Sequence, residues 1–161
     1  MRMILACLAI CAFAPAPAFA NRHEGDAEMA AEATDASEIA AADEAAIADV
    51  VQAYFDGIGA ADANRLNRAF AADKASMVGV MKSDEGEKLM AWKDMGAVIA
   101  NWADDPNPEG VGRDGEILDM KVMDGRIAMV MFRYKDEFYD VLSLAKVGGE
   151  WKIIAKAFIL Q

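Results

Sequence analysis

The chain has 161 residues, 55% of them hydrophobic, and its 27 Asp and Glu outnumber 16 Lys and Arg for a net charge of −11. A balance this acidic repels phosphate backbones and anionic bilayers, which excludes nucleic acid as a partner. The two cysteines, Cys7 and Cys11, fall in the first dozen residues, so the rest of the chain has no disulfide, thiolate metal site or cysteine nucleophile.

Met1-Arg2-Met3 opens the chain, an apolar run follows from Ile4 to Ala14, and Ala18-Phe19-Ala20 precedes Asn21. A positive start, a short apolar core and an A-x-A end predict a signal peptide over 1–20 and a periplasmic or secreted protein. A lipid anchor would need a small residue before a cysteine at the end of the core, a pattern neither cysteine fits. No run reaches the roughly 20 apolar residues of a membrane span. Residues 21–36 are rich in Ala, Glu and Asp without large apolar periodicity, which predicts a flexible acidic leader. The only histidine, His23, lies in it and reads as a solvated side chain rather than a metal ligand with Glu24.

The folded domain is expected over 37–161. Ser37 offers a cap, and Ile39, Ile47, Val50, Val51, Tyr54, Phe55 and Ile58 recur at helical spacing up to Gly57 and Gly59. Asp62 can cap a short helix carrying Leu66, Ala69 and Phe70. Ser76 to Lys82 reads as a strand, Ser83 to Gly86 as a turn, and Glu87 to Trp92 as a return strand or an early helix turn. Lys93 to Ala103 sets Val98, Ile99 and Trp102 on one helical face before Pro106 and Pro108. Glu116 to Leu160 then divides into strand-like runs at Asp124-Gly125, Lys135-Asp136-Glu137 and Gly148-Gly149, all turn signals. Helices first and a meander after predict an α+β domain, with helices over one face of a curved antiparallel sheet.

Counting two-residue turns at Asp124-Gly125 and Gly148-Gly149 assigns side chains to faces. One face collects Glu116, Leu118, Met120, Val122, Ile127, Met129, Met131, Arg133, Phe138, Asp140, Leu142, Leu144, Trp151, Ile153, Ala155, Ala157 and Ile159. Its ionisable members, Glu116, Arg133 and Asp140, gather at one end. They are either the polar groups of a ligand cavity lined by Tyr54, Met129 and Met131, or an Arg–carboxylate cluster that closes the core. The other face mixes Lys121, Arg126, Lys152 and Lys156 with Phe132, Tyr134, Tyr139, Ile154 and Phe158. A basic rim around an aromatic centre predicts a homodimer through the sheet, the alternative being partial cover by the acidic leader.

The ending FYDVLSLAKVGGEWKIIAKAF, from Phe138 to Phe158, and VVQAYFDGI in the first helix resemble the putative lumazine-binding proteins of the nuclear transport factor 2-like superfamily. The likeness extends over about Asp43 to Leu160 and lies close to the SnoaL-like polyketide-cyclase and ketosteroid-isomerase groups. It implies a cone in which a curved antiparallel sheet wraps an N-terminal helix pair and a third helix, with a pocket opening inside and dimers through the sheet. Catalytic relatives use an acid/base Asp or His beside a Tyr or Asp donor. The folded domain has no histidine, so Asp140 or Glu116 would be the base and Tyr54 the donor, although Arg133 nearby would weaken either carboxylate as a base.

The favoured expectation is an exported, non-catalytic domain for a small apolar ligand with a polar or anionic end near Arg133. The alternative is an isomerase, dehydratase or cyclase using a pocket carboxylate. No cofactor and no metal is called for. Asp105, Asn107, Glu109, Gly110 and Glu116 fall at EF-hand loop spacing, but Pro106, Pro108 and Gly112 suit a turn-rich acidic loop better. No G-x-S-x-G or glycine-rich phosphate loop is present.

Overall fold

The structure, a computed structural model, describes residues 23–105, 114–135 and 137–161. The expected signal peptide and the 106–113 part of the acidic loop lie outside the described residues. The chain divides into two units, Met1–Asp35 and Ala36–Gln161, and the second holds the sheet and the core.

Helix α1 spans His23–Gly59, so Ser37 lies inside it rather than capping it, and the backbone is helical over the described part of the expected leader. Ala and Glu are among the strongest helix formers, and extending an existing helix needs no core of its own. The buried stripe of α1 is Asp43, Ile47, Val51, Tyr54 and Phe55. Gly57 is buried where α2 crosses, because a Cβ there would stand 2.8 Å from Leu66 Cγ. Helix α2 spans Ala63–Ala69, capped as expected by Asp62, whose Oδ1 accepts from the backbone N–H of Asn64 at 2.9 Å and of Arg65 at 3.1 Å. Strands β1 (Ser76–Ser83) and β2 (Gly86–Trp92) form a hairpin, and helix α3 (Met95–Ala103) starts on the cap of Asp94. Strands β3 (Gly115–Met123), β4 (Ile127–Tyr134), β5 (Phe138–Val147) and β6 (Glu150–Leu160) complete the sheet. No helix among the described residues is long and apolar enough to cross a membrane.

The sheet runs β2-β1-β6-β5-β4-β3, antiparallel throughout except where β1 lies parallel to β6. The helices cover one face. Phe55 of α1 packs edge-on against Phe132 and Tyr134 of β4, and Tyr54 packs against Phe70 and Phe132.

Three irregularities overturn the counted faces. At the β3–β4 turn Asp124 and Gly125 both take positive φ, as a tight hairpin needs, but the ladder resumes with Met123 opposite Ile127, so Arg126 is an added residue. A second slip falls between Ile117 and Asp119, and a third at the Ser143/Leu144 step makes Ile154 the extra residue of β6. Each extra residue reverses the parity of the rest of its own strand. Strand β4 therefore buries Ala128, Val130, Phe132 and Tyr134, and turns Ile127, Met129, Met131 and Arg133 to the outer face. The counted register would have buried a guanidinium and exposed two aromatic rings, which is far costlier than one bulge.

Candidate functional site

Tyr54 projects from α1 toward β5 and β6. On β5, Asp140 shares the inner face with Leu142 and Leu144, all three buried. On β6 the bulge at Ile154 turns Lys156 and Phe158 inward and Ala157 and Ile159 outward. The three polar side chains meet there. Lys156 Nζ donates to Asp140 Oδ1 at 2.6 Å and to Tyr54 Oη at 2.5 Å, and Tyr54 Oη donates to Asp140 Oδ2 at 2.7 Å. The lysine and aspartate side chains are 3% and 0% exposed. The ammonium also lies 4.4 Å from the ring centre of Phe138, 4.9 Å from that of Phe158 and 5.0 Å from that of Tyr54.

Burial pushes the Asp140 carboxyl up from its ordinary value, against the pull of Lys156 and the hydrogen bond from Tyr54. Burial likewise pushes the Lys156 ammonium down, against the attraction of Asp140. Desolvation outweighs attraction for both partners, which is the expected balance for an ion pair taken out of water.

Of this group Lys156 lines a cavity of about 370 Å³ between the sheet and the helices, with Tyr54 and Asp140 behind it. Its walls are Met77, Met81, Trp92, Trp102, Phe138, Phe158, Ile58, Val98 and Leu160, and its polar lining is Lys156, Asn101 and Glu137. Gly79 shapes one wall: a Cβ there would stand 2.3 Å from Phe158 Cζ, so only glycine lets that ring lie against β1. A more open hollow of about 430 Å³ lies along α1 beside Arg68, Glu150, Trp151 and Lys152. Its charged groups are in contact with solvent, whereas the inner cavity has a desolvated polar group on an apolar wall, the usual composition of a ligand site.

Of the residues expected to form a site, Tyr54 and Asp140 come together. Met129, Met131 and Arg133 do not join them, because the added Arg126 sends their whole row to the outer face. Glu116 faces Arg133 as counted, with Oε1 2.8 Å from Nη2, but this pair stands across the sheet from Asp140. The expected centre of a dimer is corrected by both shifts: the added Arg126 buries Phe132 and Tyr134, the bulge at Ile154 turns Phe158 inward and leaves Ile154 itself half-buried, and Tyr139 stays on the outer face. Lys156, expected in a basic rim, is buried in the core. The adjacent pair Ile153-Ile154, breaking strict alternation, was the signal that marked this bulge.

A second buried carboxylate, Asp43, accepts from Lys146 Nζ at 2.6 Å and from Trp151 Nε1 at 3.0 Å. These bonds, led by the one from Lys146, hold its carboxyl below the usual range. It ties α1 to the β5–β6 hairpin and lies outside the lining of the inner cavity.

Solved structures share this architecture. An NTF-2 like protein of unknown function from Silicibacter pomeroyi is 26% identical, with a TM-score of 0.61 over 73% of this chain and 94% of its own. An NTF2-like protein of unknown function from Shewanella baltica is 21% identical, with a TM-score of 0.60 over 73% and 93%. A ketosteroid isomerase-like protein from Erwinia carotovora, at 16% identity and a TM-score of 0.50 over 72% and 94%, shares the fold. No curated protein matches the sequence. Residues 42–159 match the model of the family described as putative lumazine-binding, a stretch from Ala42 to Ile159 that takes in α1 from its buried stripe onward and every strand. With its helices on one face of a six-stranded sheet, the chain belongs to the putative lumazine-binding family, of nuclear transport factor 2-like α+β fold.

Proposed function

We propose that this chain is an exported, non-catalytic domain that binds a small, largely apolar ligand in the inner cavity, with the polar end of the ligand toward Lys156. The observation that carries this reading is an aromatic and aliphatic cavity of about 370 Å³ with one buried ammonium on its wall. Two acceptors, Asp140 and Tyr54, take two of the three N–H donors of Lys156. The third can serve a carbonyl, carboxylate or ring acceptor of a ligand. The family name supports a small-molecule ligand, and the start of the chain supports export.

The enzyme alternative weakens on the same geometry. Asp140 has one oxygen on Lys156 and the other on Tyr54, so the expected base is already occupied on both sides. Glu116 is across the sheet, paired with Arg133. Native mass spectrometry of the protein purified from its host tests the binding reading: a retained small molecule, lost in Lys156→Met, is the expected result. A ligand-free protein that also fails to take up apolar fluorescent probes would overturn it.

A second copy of the chain is the proposed partner of the outer sheet face. Met131, Val141, Ala157, Val78 and Ala91 are successive ladder partners across β4, β5, β6, β1 and β2, forming an apolar row over five strands. Ile159, Tyr139 and Leu89 extend it, all exposed. The charges beside it are internally paired, Arg133 with Glu116 and Lys121 with Asp119, so the face presents little net charge to repel its twin. Sedimentation should give a dimer at micromolar concentration and a folded monomer for Val141→Glu. A monomeric wild type would end this proposal.

A further inference from the structure

Resting on the reading of the inner cavity as a ligand site, we infer that Lys156 captures its ligand covalently and reversibly, as an imine with an aldehyde or ketone carried on an apolar body. A lysine becomes a carbonyl nucleophile when an apolar pocket desolvates it and a neighbouring group can take its proton. Both conditions hold here. Lys156 lies on the cavity wall at 4% exposure, and Asp140 Oδ1 is 2.6 Å from Nζ. Burial opposes the charged form of each partner, which favours transfer of the proton to Asp140 within the pair. Tyr54 Oη touches both partners, so it can carry a proton between them and a bound oxygen.

The step balances with these groups alone. Nζ passes one proton to Asp140 and its lone pair attacks the carbonyl carbon, forming the C–N bond as the carbonyl π bond breaks. A second proton moves from nitrogen to the new oxygen through Tyr54, giving a carbinolamine. Protonated Asp140 then returns its proton to that hydroxyl, the C–O bond breaks, and water leaves. The product is a protonated imine on Lys156, paired with the Asp140 carboxylate, so the charge of the pair is unchanged. Hydrolysis by the reverse path releases the ligand. The aromatic walls at Trp92, Trp102, Phe138 and Phe158 favour a flat or aromatic carbonyl compound.

The test uses the full chain with cinnamaldehyde and cyanoborohydride, followed by peptide mapping. The expected result is reductive labelling of Lys156 at least about tenfold faster than of exposed Lys88 and Lys93, slowed by Tyr54→Phe and Asp140→Asn. Labelling confined to exposed lysines would overturn the inference even if Tyr54→Phe and Asp140→Asn failed to fold, since the comparison is made within the wild type. Cinnamyl alcohol, which has the same body and no carbonyl, separates the two readings by quenching of tryptophan fluorescence. Alcohol binding without a Lys156 adduct refutes imine formation and leaves the cavity a ligand site. Neither binding nor adduct refutes both.

Discussion

Removing one partner of the buried pair should cost far more than removing both. In Asp140→Leu the ammonium of Lys156 stays among Tyr54, Phe138 and Phe158 with its carboxylate partner gone, its own side chain being 3% exposed. Stranding a buried charge costs about 3–5 kcal/mol, set against a total stability of about 5–15 kcal/mol for a domain of this size. Lys156→Met strands the carboxylate at a similar cost. The double variant replaces the pair by side chains of similar volume, and should return to within about 2 kcal/mol of wild type, because the attraction it loses is offset by the desolvation it escapes. Urea unfolding followed by tryptophan fluorescence and circular dichroism measures all four corners, and the expected coupling is about 3 kcal/mol or more. Asp140→Leu carries a sign check in pH. Loss of Asp140 removes the attraction that raises the Lys156 value, so its folded value falls further below the unfolded one. The unfolded chain then binds more protons, and the stability of this variant should rise relative to wild type as pH climbs toward the unfolded lysine value of about 10.4. Single variants costing under about 1 kcal/mol, or a double variant as unstable as the sum of the singles, would refute a water-free pair.

Asp43 should supply stability that is present above the ordinary aspartate value near 3.8 and lost as pH falls through its depressed folded value, since Lys146 and Trp151 favour its ionised form. Acid unfolding of Asp43→Asn should therefore start from a lower stability at neutral pH and show a shallower acid dependence, whereas parallel curves would refute the assignment. Gly79→Ala should cost about 1–3 kcal/mol by forcing Phe158 off β1. Trp92, whose ring centre is 5.9 Å from that of Phe158, should report the shift in emission, and Phe158→Leu in the same chain should recover most of the loss. Gly115→Ala places a methyl 2.7 Å from Phe132 Cζ and 2.8 Å from Phe55 Cζ, and should lower stability by a similar amount while leaving apolar-probe binding in the inner cavity unchanged.

The sequence by itself determined the local features of this protein. Helical spacing from Ile47 to Ile58, the Asp62 cap, and turns at Ser83–Gly86, Asp124-Gly125 and Gly148-Gly149 are short-range, because capping bonds and positive φ act over a few residues. Motif likeness in the final hairpin carried the fold class. The buried carboxylate Asp43 shares the helical stripe of Ile47, Val51 and Tyr54, but its partners Lys146 and Trp151 lie about a hundred residues away in sequence, beyond the reach of local patterning. The tertiary structure alone decided which side of the sheet each β residue faces. Parity along a strand is a running count, so an added Arg126 reverses the whole of β4 and an added Ile154 the rest of β6, and the pair Ile153-Ile154 is only a slight local mark. What chose between the two parities was the packing of Phe132 and Tyr134 against Phe55, set against the cost of burying Arg133. That choice carried Met129, Met131 and Arg133 out of the site. The bulge at Ile154 carried Lys156 into it, where Asp140 and Tyr54 compensate a charge that the strand pattern had assigned to solvent.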